Sequence, residues 1–194
     1  MNRLRVIDVS DWQEGINLEQ VKNEGIDGVI VKLGQNFRET ETGRDFIFEA
    51  LRVGLKVGVY YYSTATNYAE SRAEGKWVNS KLEEIGLTDY HLQLGVWFDY
   101  EESDVINGFT MQENTNMICE FLNQIKAVSK TGVYGGYCAL WDNTYLVSQL
   151  PWVRVWCAQY SKECDYPKQY LAGWQFTDSY PCAGMQVDCS EWYD

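Results

Sequence analysis

Leu94-Gly95-Val96-Trp97-Phe98-Asp99-Tyr100-Glu101 is a short apolar run that opens directly onto two carboxylates separated by one residue. A run of this length and composition reads as a strand buried on both faces. Amphipathic segments flank it. Upstream, an Asn67-x-x-Glu70 cap opens a helix with Ala73, Trp77, Val78, Lys81, Leu82 and Ile85 spaced for one face. Downstream, the capping box Thr110-x-x-Glu113 opens the longest helix, whose face carries Met111, Ile118, Phe121, Leu122, Ile125 and Val128. A buried strand between two helices implies parallel pairing, because parallel neighbours need a crossover.

The same alternation extends in both directions. Val6–Val9, Val29–Leu33, Val57–Tyr62 and Val133–Tyr137 read as further strands. Between them lie a short helix capped by Asn17 and closed near Gly25, and a second helix over about Gly43–Val53. The latter places Phe46, Ile47, Ala50 and Leu51 on one face and stops at Gly54. A short helix is expected near Ala139–Ser148. Beyond it, Val153–Ala158, Gly173–Phe176 and Met185–Val187 read as strands with little helix between them. Eight strands, five of them followed by helices, predict an α/β fold: an irregular TIM-like β/α barrel lacking outer helices in its last third. Residues 1–194 are expected to form one domain. A doubly wound open sheet would show a Gly-rich loop after its first strand, and Ser10-Asp11-Trp12-Gln13 stands there instead.

Sixteen basic and 28 acidic residues give a net charge of −12, a surface that repels nucleic acid and acidic membranes. Nothing approaches the roughly 20 apolar residues that span a bilayer. Met1–Asp8 has no apolar run long enough for a signal peptide, so the expectation is synthesis as a soluble cytoplasmic product, or a targeting segment outside this sequence. The six cysteines contain no C-x-x-C and His91 is the single histidine; free thiols are expected, with disulfides the alternative that an even count allows, and neither metal nor cofactor. Magnesium or manganese is the alternative use of clustered carboxylates. Eight Trp, 14 Tyr and seven Phe permit stacking on sugars as well as core packing.

Asp8, Asp99, Glu101 and Asp188 fall at or near predicted strand ends, which in a parallel barrel converge on one mouth. Asp99 and Glu101, two apart on a strand, share a face with Cα atoms roughly 6–7 Å apart. Each raises the other's proton affinity, so one can stay protonated as an acid while the other ionises.

These residues resemble the lysozymes of glycoside hydrolase family 25. The likeness runs from Asp8-Val9-Ser10-x-Trp12-Gln13 through Gly28-Val29-Ile30-Val31-Lys32 and Gly54-Leu55-x-Val57-Gly58-Val59-Tyr60-Tyr61-Tyr62-Ser63. It continues in Asp99-x-Glu101, Gly132-Val133-Tyr134-Gly135, Trp174-Gln175-Phe176-Thr177 and Val187-Asp188. The resemblance implies cleavage of bacterial peptidoglycan between N-acetylmuramic acid and N-acetylglucosamine, with Glu101 as acid/base and Asp99 as its partner. It implies cleft positions for Asp8, Asp188, Tyr62 and Trp174, more loosely for Tyr134, Tyr160 and Lys32, and a supporting role for Gln175. The setting it suggests is a phage endolysin acting on the cell wall, with a secreted autolysin as the alternative. Rival functions are a catalytically inactive glycan-binding barrel and a chitinase-like glycosidase; the latter's longer acidic string would put an acid where Trp97 stands. Two features depart from the family. Leu33-Gly34-Gln35 follows strand two where many relatives carry a Thr-Glu-Gly type sequence, which removes the basis for carrying substrate contacts over to that loop. No cell-wall-binding module is recognisable, and such a module would lie C-terminal to this chain.

Overall fold

The computed structural model describes residues 3–101, 103–137, 144–146 and 149–193. Its strands are β1 (Arg3–Val9), β2 (Gly28–Gln35), β3 (Arg38–Glu39), β4 (Lys56–Tyr62), β5 (Gly95–Asp99), β6 (Thr131–Gly136), β7 (Arg154–Ala158), β8 (Leu171–Cys182) and β9 (Met185–Tyr193). The helices are α1 (Leu18–Asn23), α2 (Gly43–Val53), α3 (Tyr68–Glu84), α4 (Ser103–Ile106) and α5 (Met111–Leu122). The capping signals act as read: Asn17, Asn67 and Thr110 each accept a backbone N–H from three residues on, and Gly54 ends α2 at φ 78°. The helix expected near 139–148 lies largely outside the described residues. Among the described residues, no helix is long and apolar enough to cross a membrane.

Eight of the strands close a barrel, and β3 hangs on its rim as a two-residue hairpin partner of β2. Neighbours from β1 through β2, β4, β5, β6 and β7 to β8 are parallel. β9 then inserts antiparallel between β8 and β1. The cause is the Ala183–Gly184 turn: two residues at φ 48° and 80° join the paired Cys182 and Met185, a connection too short for a crossover. Asp188 therefore reaches the mouth from the early half of an antiparallel strand, not from the end of a parallel one, which corrects the expectation for that residue.

The barrel interior below the mouth is solid. Trp97, Trp156 and Trp192 meet edge-to-face with ring centroids 5.1–6.1 Å apart, packed with Val6, Ile30 and Leu94. Glycine makes the room: a Cβ on Gly132 or Gly173 would sit 2.2 Å from the ring of Trp97 or Trp192. The indole N–H groups of Trp97 and Trp156 donate to Leu94 O and Ser190 Oγ, so burial leaves neither unpaired. The larger core lies outside the barrel, where Val29, Val59, Phe98 and Val133 meet Ile47, Val78, Ile118 and Phe121 of the helices.

The buried side of α3 is the expected one in part: Val78 and Leu82 are buried and Trp77 and Ile85 pack against the core, but Ala73 is exposed and Ser71, Glu74 and Gly75 are buried. Ser71 Oγ donates to Met117 O, and a Cβ on Gly75 would lie 2.4 Å from Phe121 O, so close approach to α5 selects small and polar residues over the apolar stripe.

Candidate active site

The barrel's register brings the acids together. Alternation points Val6, Ile30, Tyr60 and Trp97 inward, and two residues further on the same faces present Asp8, Lys32, Tyr62 and Asp99. Asp99, the last residue of β5, lies in register between Tyr62 and Tyr134. Asp8 lies directly opposite Asp188 across the β1–β9 pair.

Gln175 joins the two halves of this mouth. Its Nε2 donates to Asp8 Oδ2 at 3.0 Å and to Asp188 Oδ2 at 3.2 Å. Its Oε1 accepts the hydroxyls of Tyr134 at 2.9 Å and Tyr160 at 3.1 Å. One buried amide thus joins two carboxylates and two phenols. Trp174, one residue earlier in β8, faces the other way. It is 7% exposed, packs in the outer core and donates its indole N–H to Gln159 O, so the structure does not bring it to the acids.

Asp99 is buried at 4% exposure, and its Oδ1 has no hydrogen-bond partner among the described residues. Burial, then the charges of Glu101 and Asp8, hold its carboxyl well above the usual range, and the charge of Lys32 opposes them. Asp8 is likewise pushed well up by burial and by Asp188. Asp188 is pushed up to about 6 by burial and the charge of Asp178. Glu101 lies past the end of β5 and is exposed. Tyr100 between them is buried outward, its hydroxyl donating to Asn114 Oδ1, so alternation keeps Glu101 on the side of Asp99. The charge of Glu101 acts on Asp8, Asp99, Tyr60, Tyr134 and Tyr160, which places it over the same mouth. Lys32 carries its ammonium 5.1 Å from the Tyr62 ring centre; burial lowers its pKa, against the charges of Asp99, Asp11 and Glu101.

Three contributors are absent from the sequence candidates. Tyr60 lines the interior beneath the acids, and Asp178 acts on Asp188 from β8. Glu74 on α3 is 2% exposed, accepts from Ser63 Oγ at 2.6 Å and is pushed up to about 7 by burial. Its only sequence signal is spacing, three residues after Ser71 and four before Val78 on the buried face.

Residues 7–185 match the family model described as glycosyl hydrolases family 25. The chain belongs to glycosyl hydrolases family 25. As a family 25 member it is a glycoside hydrolase, and the matched span includes Asp8, Asp99 and Glu101 but ends three residues before Asp188. No curated protein matches the sequence. Solved structures similar to this family 25 chain include the modular autolysin LytC from Streptococcus pneumoniae, at 24% identity and a TM-score of 0.83 over 99% of this chain and 47% of that one. A muramidase from Trichobolus zukalii aligns at 20% identity and a TM-score of 0.78, covering 98% of this chain and 94% of that one. The catalytic domain of endolysin ply40 from bacteriophage P40 of Listeria monocytogenes aligns at 21% identity and 0.75, covering 100% and 94%. These likenesses establish the shared barrel. The chain spans about half the length of the pneumococcal autolysin.

Proposed function

We propose that this chain is a muramidase that cleaves peptidoglycan glycan strands on the reducing side of N-acetylmuramic acid, with Glu101 as the proton donor and Asp99 as its partner. The observation that carries the reading is the contrast between the two carboxylates: Glu101 exposed at the mouth, and Asp99 buried with Oδ1 unpartnered among the described residues. A buried acceptor without a partner is costly and is maintained where a ligand group completes it. The N–H of a 2-acetamido group is such a donor. In this scheme Glu101 protonates the glycosidic oxygen while the acetamido oxygen attacks C1. Asp99 holds the amide N–H and balances the positive charge of the forming oxazolinium ion. Glu101 then takes a proton from the water that opens the ring, with net retention. The charge of Lys32 favours ionised Asp99, and Gln175 donates to both Asp8 and Asp188 beside it. Tyr62, Tyr134 and Tyr160 border the sugar path, and Trp174 supports the Tyr160 loop from behind through Gln159. The neighbours described as an autolysin, a muramidase and an endolysin support peptidoglycan as substrate. The phage setting, and a cell-wall-binding module beyond this chain, belong to the same proposal; the modular autolysin, twice as long, is what supports the second.

Digestion of purified Gram-positive walls tests this reading. New reducing ends on muramic acid are expected; ends on glucosamine, or new amino groups, would overturn it. Trapping of a covalent Asp99–glycosyl adduct would replace the assisted route with direct attack by Asp99.

A further inference from the structure

The segment between β7 and β8 ties two cysteines to the rim of the mouth. Cys157, the fourth residue of β7, is buried in the outer core in register with Trp174. Cys164 follows in the loop and is half-buried against the same core. The Cys157 thiol donates to Cys164 Sγ, and the backbone N–H of Tyr166 donates to the same sulfur. The Cys157 bond first, then that of Tyr166, hold the Cys164 thiol below its usual range against burial and the charge of Asp165. Burial pushes Cys119, Cys182 and Cys189 the other way, Cys182 to about 11 and Cys189 to about 12. Cys164 is thus set apart from these three as a partly accessible thiol that ionises readily, with a second thiol already in contact.

The chain between the two sulfurs forms a loop with a defined neck. Gln159 Nε2 donates to Asp165 Oδ2 at 2.6 Å, and Asp165 N–H donates to Gln159 Oε1 at 2.9 Å. Gln159 N–H donates to Gln175 O, and Gln159 O accepts the indole N–H of Trp174. Ser161 N–H turns back to Gln159 O. This loop carries Tyr160, 56% exposed, whose hydroxyl donates to Gln175 Oε1 beside the acids. Water competes for the exposed side-chain bonds of the neck. A covalent bond between Cys157 and Cys164 would close the same neck without that competition.

We propose that Cys164 and Cys157 form a thiol–disulfide exchange site, at which a low-molecular-weight disulfide converts them to a disulfide that staples the Tyr160 loop to β7. The Cys164 thiolate attacks one sulfur of the small disulfide, whose S–S bond breaks and releases one small thiol. Cys157 then gives up its proton, attacks the Cys164 sulfur of the mixed disulfide and expels the second small thiol. Two protein thiols are oxidised and one small disulfide is reduced to two thiols. The chemistry goes beyond the muramidase reading; only its effect on the sugar path rests on that reading, through Tyr160.

Incubation of the full chain with oxidised glutathione tests it. The wild type should lose two hydrogens and retain no glutathione. Trypsin cuts after Lys162, so the product should yield peptide 155–162 joined to peptide 163–168. Cys164→Ser should give no such species, and Cys157→Ser should stop at a glutathione adduct on Cys164. Closing so short a loop should raise the Tm of the oxidised wild type by roughly 5 °C or more. Its KM on soluble glycan strands should fall roughly two- to fivefold at unchanged kcat, the size of one exposed contact held in place. Cys164→Ser should show neither change. No cross-link, a cross-link to another cysteine, or one that leaves Tm or KM unmoved would overturn the proposal. If neither the reduced nor the oxidised protein cleaves glycan strands, the muramidase reading fails, while the cross-link and the Tm still decide the exchange site.

Discussion

At the scale of single residues, the site is a set of carboxylates held in unlike environments. Asp99 is buried and crowded by like charge, and the charge of Lys32 relieves it. Lys32→Met should therefore raise the pKa of Asp99 and move the acid limb of the pH–rate profile to higher pH. An unmoved limb would show that Lys32 does not govern ionisation at the mouth. Asp8, Asp99 and Glu101 were legible in the sequence because each closes or follows an apolar run, and the strand period alone sends them to one face. Trp174, a cleft position implied by the family resemblance, packs in the outer core. Adjacent residues in a strand face opposite sides, so when Gln175 turns inward to the acids, Trp174 must turn outward, and composition cannot tell which of the two leads.

At the scale of elements, helices were read well where caps speak and poorly where packing decides. Asn17, Asn67 and Thr110 mark helix starts by a local side-chain bond, and that chemistry is visible in three or four residues. The buried face of α3 is set by its distance from α5, which no local pattern encodes. Gly75→Ala tests that contact. An added methyl normally favours a helix by up to about 1 kcal/mol. Here it meets Phe121 O at 2.4 Å, and the overpacking cost of about 1–3 kcal/mol should win. Urea denaturation should show a less stable variant, and a gain in stability would mean the helices can separate without penalty. The hairpin of β8 and β9 was read too short for a related reason. Register shifts between Gln175 and Thr177 and between Thr177 and Tyr180 break the alternation that marks a strand.

At the scale of the whole molecule, closure of the barrel concentrates acids that the unfolded chain would scatter. Glu74 is raised to about 7 and Asp188 to about 6, and Asp8 and Asp99 are also raised. Groups with raised carboxyl pKa bind protons in the folded state first, so folding is favoured as pH falls from about 8 toward 5. Glu39, held down to about 2 by Arg44 and Lys81, acts in the opposite sense and loses its contribution only as pH falls below about 4.5. Calorimetry across this range should find Tm highest near pH 5. A Tm that climbs steadily from pH 5 to 8 would mean the acids are not buried as described. Glu74→Gln should flatten the limb between about pH 5 and 7, since the amide does not titrate.

The central claim is that Glu101 moves the proton and Asp99 works beside it. The most direct measurement is kcat on soluble glycan strands for wild type and Glu101→Gln, with the folded state of each confirmed by its Tm. Loss of proton transfer should cut kcat by about 10²–10⁴-fold at unchanged Tm. A Glu101→Gln enzyme that turns over within a few-fold of wild type would contradict the account.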